Sequence, residues 1–206
     1  AVFEGPRLPR WQNDEHEIER WCRMLEAFGI ACDRDDLDLV SSRPRDRDYV
    51  VLHPGASSEA RRWPVERWVG VARALADRNV PLRITGSAQE FRRARAIARG
   101  AGVDIRNVIA GKTNLEGLTG VIGSARAVVC GDTGVAHLAT ALRTPSVVLF
   151  GPMSPRRWGP PAQRRRHRAI WHGKTGDAHA STVDHGLAEI SVDEVLKTLQ
   201  EVAALG

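Results

Sequence analysis

Residues 127–151, "AVVCGDTGVAHLATALRTPSVVLFG", decide the fold. The apolar run 127–131 ends in Gly-Asp-Thr-Gly, a short apolar helix follows over 134–142, and a second apolar run begins at Ser146. Two β-like runs joined through one helix make a βαβ unit, which pairs its strands in parallel. The same alternation extends in both directions. Upstream lie "YVVLHPG" (49–55), a helix with Val65, Trp68, Val69, Ala72, Leu75 and Ala76 on one face, then "VPLRITG" (80–86). A helix over 87–100, a strand "NVIAG" (107–111) and a helix over 114–123 complete that side. Downstream, "RAIWHG" (168–173) reads as a sixth strand, and 191–206 holds a closing amphipathic helix. Pro64 suits a first helical turn.

This pattern predicts an α/β, doubly wound, Rossmann-like parallel sheet with helices on both faces. Ligands of such sheets bind at the carboxyl ends of the strands, where this sequence keeps its polar punctuation. The organisation expected is a helix and linker over 1–45, a Rossmann-like domain over 46–190 and the closing helix over 191–206. The first of these has a helical stripe of Ile18, Trp21, Cys22, Leu25 and Phe28, stopped by Gly29, then an acidic linker over 33–48.

With 206 residues, 42% hydrophobic and 27% charged, the chain has the composition of a globular domain with a substantial core. It has no apolar run of membrane-spanning length, and its first residues are neither a signal peptide nor an initiator Met, which points to a piece of a longer protein. Cys22, Cys32 and Cys130 lack metal-ligand spacing and cannot all pair, so a reducing cytoplasm is expected. The charge of +5 and pI near 9.7 come from 27 Arg against 3 Lys. That excess is spread along the chain. Its densest cluster, Arg164 to Arg166 with Arg168, has no neighbouring Phe or Tyr platform; it reads first as a solvated loop, with an anionic ligand as good an alternative as DNA or RNA.

Four strand ends carry candidate chemistry. "HPGASSEARRWP" offers close backbone approach at Gly55, hydroxyls at Ser57 and Ser58 and guanidinium forks at Arg61 and Arg62. Ahead of a helix start, these make either a phosphate cradle or an ordinary Gly/Ser loop. Ser87 and Glu90 have capping-box spacing, as do Thr113 and Glu116. Glu90 at a sheet edge also suits a ribose diol. At the opening stretch, Asp132 either caps the helix or accepts from sugar hydroxyls. Thr133, with the amides of Gly134 and Val135, can donate to a phosphate. His137 is either packed or a neutral N–H donor near the positive helix end. "GPMSPRRWGPP" reads as a rigid loop able to close over a base or sugar, and His167, His172, His179 and His185 as scattered loop histidines. A metal site from Asp132, His137 and His53 has no fixed spacing. No Gly-x-Gly-x-x-Gly or Walker loop is present.

In order, "HPGASSEARRWPVERW", "TGSAQE", "NLEGL", "GDTGVAHLATAL" and "TPSVVLFGPMSPRRWGP" resemble the carboxyl-terminal half of glycosyltransferase family nine, the ADP-heptose:lipopolysaccharide heptosyltransferases. The likeness covers about residues 45–160. It implies half of a GT-B fold and a metal-independent, inverting transfer from a nucleotide-diphosphate sugar, with an ADP-sugar as the donor and no cofactor. By resemblance Ser57, Ser58 and Arg61 hold the diphosphate, with Arg61 where many relatives have Lys. Glu90 takes the ribose, Asp132 meets the sugar, and Thr133, Gly134, Val135 and His137 line phosphates and sugar. The acceptor, a glycan or lipid-linked sugar met at the inner membrane surface, and the catalytic base would belong to an amino-terminal domain. The alternatives are a non-catalytic nucleotide-sugar-binding module and a sugar-nucleotide epimerase of the same architecture.

Overall fold

The computed structural model describes residues 8–39 and 48–204. Five strands form one parallel sheet: β1 (Val50–His53), β2 (Leu82–Ile84), β3 (Ala127–Gly131), β4 (Ser146–Leu149) and β5 (His167–Ile170), in the order β2-β1-β3-β4-β5. Alternation of side chains along each strand explains the layers. Val50, Leu52, Ala127, Val129, Val147 and Leu149 feed one core, with Trp63, Trp68 and the helices α2 (Val65–Asp77), α3 (Phe91–Ala101) and α8 (Val192–Ala204). Val51, Val128, Cys130, Val148 and Phe150 feed the other, against α4 (Leu115–Gly123) and α5 (Gly134–Ala141). Both faces are therefore covered, as parallel strands buried on two sides require. Trp63 and Trp68 meet edge to face at 5.2 Å, and the Trp63 indole N–H donates to the Ile190 carbonyl at 3.2 Å, pinning the approach to α8.

Strand order reverses between β1 and β3. Chains leave these two strands toward opposite faces, opening a crevice at their carboxyl ends. Three expectations change. The segment 107–111 does not become a full strand: it makes one parallel bridge, Val108 to Ile84, between a 3-10 turn at Ile105–Asn107 and Gly111, whose φ of +73° turns the chain away. The last strand lies at His167–Ile170, slightly ahead of 168–173. The cap of α4 is Asn114, whose side chain accepts from Gly117 N at 2.8 Å, so Thr113 and Glu116 do not form the anticipated box.

The amino-terminal helix α1 (Glu17–Ala27) forms as expected, but its apolar stripe does not enter the core. Cys22 is buried, whereas Trp21, Leu25 and Phe28 stay exposed. Polar and covalent ties hold the helix instead. His16 bonds the Gly159 carbonyl at 3.0 Å, and Cys22 forms a disulfide with Cys32, leaving Cys130 free and buried. The acidic stretch after Gly29 is docked rather than loose: Leu39 N donates to Ala141 O at 2.8 Å, and Asp38 pairs with Arg143 and Arg164. Arg164 is correspondingly well covered, not a solvated loop residue. The anticipated boundary near residue 45 lies outside the described residues.

Candidate functional site

β1 ends at His53, and Pro54-Gly55 lead into a 3-10 turn at Glu59–Arg61. β3 ends at Gly131, where an added Cβ would stand 3.4 Å from the Arg61 carbonyl oxygen, an ordinary contact distance. The two loops thus meet across the switch point. Arg61 Nη1 lies 3.5 Å from the Asp132 carbonyl oxygen and 3.8 Å from Asp132 Oδ2. Ser57 Oγ accepts from Arg61 Nη2, and Ser58 Oγ sits 3.5 Å from Arg61 Nε while donating to the Ala178 carbonyl at 2.6 Å. Both serines thus orient the guanidinium, which faces the cleft itself.

Thr133 is the N-cap of α5, with extended φ −146° and ψ 169°. Its hydroxyl makes no capping bond, and Oγ1 is buried without a hydrogen-bond partner. Asp132 does not take the cap either, so one of its two readings falls away. A buried hydroxyl without a partner is expensive, and a helix start leaves its first amides without intrahelical acceptors. Arg61, Asp132, Thr133, Gly134 and His137 line one cleft of about 340 Å3, closed by Met153, Trp158, Ala178 and His179. Burial raises the Asp132 carboxyl, while Arg61 and His137 pull it down. Burial lowers His137, with Asp132 opposing and His16 adding to the fall. The His137 ring lies 6.3 Å from that of Trp158, tilted by 56°.

Glu90 stands apart from this cleft. Its Oε2 accepts from Ser87 N at 2.7 Å and from Ser87 Oγ at 3.0 Å, which is the expected capping box. The carboxylate also lies over Gly55, where an added Cβ would collide with it. Its charge opposes the burial that lowers His53. Between α4 and α5 lies an apolar slot of about 500 Å3, with His53, Leu115, Leu118, Val135 and Leu138 on its walls. Val135 therefore faces the slot rather than the polar cleft, and Thr133, Gly134 and His137 border both.

Several wall residues had no legible signal. Leu115 and Leu118 lie in the stretch "NLEGL" but look there like ordinary helix positions with no binding role, and Ala178 and His179 belong to a segment without periodicity. That segment is held by long-range backbone bonds, Ala60 N to Ala180 O and Asp184 N to Ala60 O, both 3.2 Å. Of the other three histidines, His167 and His185 lie in regular elements and His172 stays in a loop but is paired. His167 is in β5 and bonds Ser146 Oγ at 2.9 Å, His172 meets Glu194 at 3.1 Å, and His185 opens a short helix, α7 (His185–Glu189), with Glu189 3.1 Å away. Among the described residues no three His, Cys, Asp or Glu side chains cluster as metal ligands would.

The model of glycosyltransferase family 9 (heptosyltransferase) matches residues 12–183. Lipopolysaccharide heptosyltransferase 1 of Pseudomonas aeruginosa is 35% identical over 152 residues, which is 68% of this chain and 41% of that protein. Lipopolysaccharide heptosyltransferase 2 of Escherichia coli K12 is 30% identical over 174 residues, 80% of this chain and 48% of that one. The chain thus spans about half the length of the curated relatives it matches. The structure of E. coli heptosyltransferase WaaC with ADP superposes with a TM-score of 0.70 at 23% identity, covering 93% of this chain and 58% of WaaC, a likeness of fold.

Proposed function

Since the chain belongs to glycosyltransferase family 9, the heptosyltransferases, we propose that it is the donor-binding, carboxyl-terminal half of a GT-B glycosyltransferase. Its donor is a nucleotide-diphosphate sugar, an ADP-sugar in the first place, a choice supported by the ADP that accompanies WaaC in its structure. The observation that carries this reading is the partnerless Thr133 hydroxyl at the start of α5, beside the Arg61 guanidinium. Hydroxyl, helix amides and cation converge on one small volume, and a diphosphate satisfies all three.

The chemistry follows from that placement. A base in an amino-terminal half removes the proton of an acceptor hydroxyl, on a glycan or lipid-linked sugar at the cytoplasmic face of the membrane. The hydroxyl oxygen attacks the anomeric carbon from the side opposite the diphosphate, inverting it. The bond from that carbon to the phosphate oxygen breaks, and its electron pair leaves with the nucleotide diphosphate. Arg61, Thr133 and the amides of Gly134 and Val135 stabilise that charge where it develops, without a metal. Asp132 and His137 face the sugar, Ser57 and Ser58 hold Arg61, the apolar slot takes the base and Glu90 the ribose.

Calorimetry on the chain tests this directly. ADP should bind weakly, Arg61→Ala should weaken that binding by about tenfold or more, and no sugar should be transferred in the absence of an acceptor half. Absence of heat with ADP, UDP, GDP and their sugars overturns the assignment.

A further inference from the structure

A second cleft, of about 420 Å3, opens at the amino ends of β4 and β5, the opposite end of the sheet from the donor site. Arg143, Gln163, Arg164, Arg165, Arg166 and His167 line it. We propose that this cleft binds a phosphoryl group carrying about two negative charges, supplied by a small phosphorylated molecule or by a phosphorylated lipid head group.

Two independent features carry the inference. The first is charge. Asp38 is the one carboxylate that pairs with these arginines among the described residues, and it serves both Arg143 and Arg164. Arg164 also donates to the carbonyls of Asp35 at 2.8 Å and Thr140 at 3.4 Å, and Arg166 Nη1 to that of Arg143 at 3.2 Å. Those bonds account for Arg164 as a cap on the carboxyl end of α5. They leave Arg165 and most of the Arg166 fork with no anionic partner among the described residues. Among the described residues, four guanidinium groups in one concavity face the Asp38 carboxylate, shared by two of them, and the Asp35 carboxylate, which accepts from Gln163 at 2.9 Å. The excess of positive charge is one that a compact anion neutralises.

The second is His167, only 4% exposed at the floor of the cleft. Its Nδ1 is bonded to Ser146 Oγ, while Nε2 is buried without any hydrogen-bond partner. A nitrogen removed from water and left unpaired is the exception in folded proteins. Burial, with Arg166 and Arg164 beside it, pushes the ring down to about 4. At neutral pH the ring is uncharged, and in the tautomer in which the Ser146 hydroxyl donates to Nδ1, Nε2–H is the free donor; this tautomer is part of the proposal. A phosphoryl oxygen would satisfy that donor and counter the arginines that depress the ring.

The probe is inorganic pyrophosphate titrated into the chain while the His167 ring resonances are followed by NMR. The titration is run in the parent and in Arg61→Ala, in which binding at the donor cleft is weakened. Saturable movement of the His167 signals, with an upward shift of its titration midpoint, is expected. Arg165→Gln/Arg166→Gln should weaken binding at least about tenfold, since two charge-assisted contacts go, with an unchanged circular dichroism spectrum showing the fold intact. A response that disappears in Arg61→Ala, that chloride reproduces, or that survives the Arg165/Arg166 replacement overturns the site. Co-sedimentation with phosphatidylcholine vesicles, with and without phosphatidic acid, then separates the sources. Capture only by phosphatidic acid supports a lipid head group, and pyrophosphate binding without capture supports a soluble phosphate.

Discussion

Arg61 and Asp132 face each other across the sheet's switch point, guanidinium Nη1 to carboxylate Oδ2 at 3.8 Å, from loops 71 residues apart in sequence. At that distance the pair is loose enough to leave the fork facing the cleft, yet near enough for Arg61 to hold the Asp132 carboxyl below where burial alone would set it. Arg61→Ala therefore has two expected outcomes. ADP affinity should fall by about tenfold or more, the scale of a lost charge-assisted contact. The Asp132 midpoint should rise, because the opposing cation is gone, and NMR titration of its carboxyl carbon reads this directly.

Thr133→Val separates binding from stability. Valine keeps the branched shape and removes the buried hydroxyl that lacks a partner. The unliganded protein should gain about 1 kcal/mol or more, because replacing an unsatisfied buried polar group removes its desolvation penalty. Nucleotide affinity should fall. Thermal melts with and without ADP test both signs, and a variant that is destabilised and binds normally would show that the hydroxyl serves the fold alone.

Why the site was only partly legible has a physical basis. The strand ends could be found because parallel strands buried on both faces read as apolar runs, and the residues that stop them are polar for a reason. Ser57, Ser58, Arg61, Asp132, Thr133, Gly134 and His137 were all visible in that way. What sequence spacing does not contain is which loop folds back over them. His179 and Ala178 reach the cleft because the loop beyond residue 175 is tied to the Ala60 backbone and accepts from the Ser58 hydroxyl, which no periodicity announces. The stripe on α1 failed as a burial signal for the opposite reason: its apolar spacing is helical, but the helix lies at the periphery and is anchored by polar ties. At 107–111 the apolar run was real, yet Gly111 turns the chain before a ladder can form.

Glu90 is proposed to serve ribose as well as the cap at Ser87, and Gly55→Ala tests the two roles together. The new Cβ would occupy the place of the Glu90 carboxylate, which must swing off Ser87 N. Losing half of a capping box should destabilise the chain by about 1 kcal/mol. If the carboxylate also meets ribose, ADP binding weakens while binding of pyrophosphate to the same cleft does not. Equal weakening of both ligands would instead mean that the whole loop has moved.

The acid limb of stability should be dominated by buried histidines, His167 first. Its folded midpoint is pushed down to about 4, below the ordinary value of 6.5. Between those two values the unfolded chain binds the proton and the folded chain does not, so stability falls as the pH drops through this window. Full integration of so large a shift gives roughly 3 kcal/mol. His53 and His137 are shifted in the same direction by burial and add to the slope. Asp132, raised by burial, acts oppositely: its contribution is present at low pH and is lost as the pH rises above the ordinary carboxylate range. His167→Asn keeps a partner for Ser146 and removes the titration. Denaturant melts from pH 7 to pH 4 should lose markedly less stability in this variant than in the parent, and identical slopes would mean that the buried His167 ring does not control the acid response.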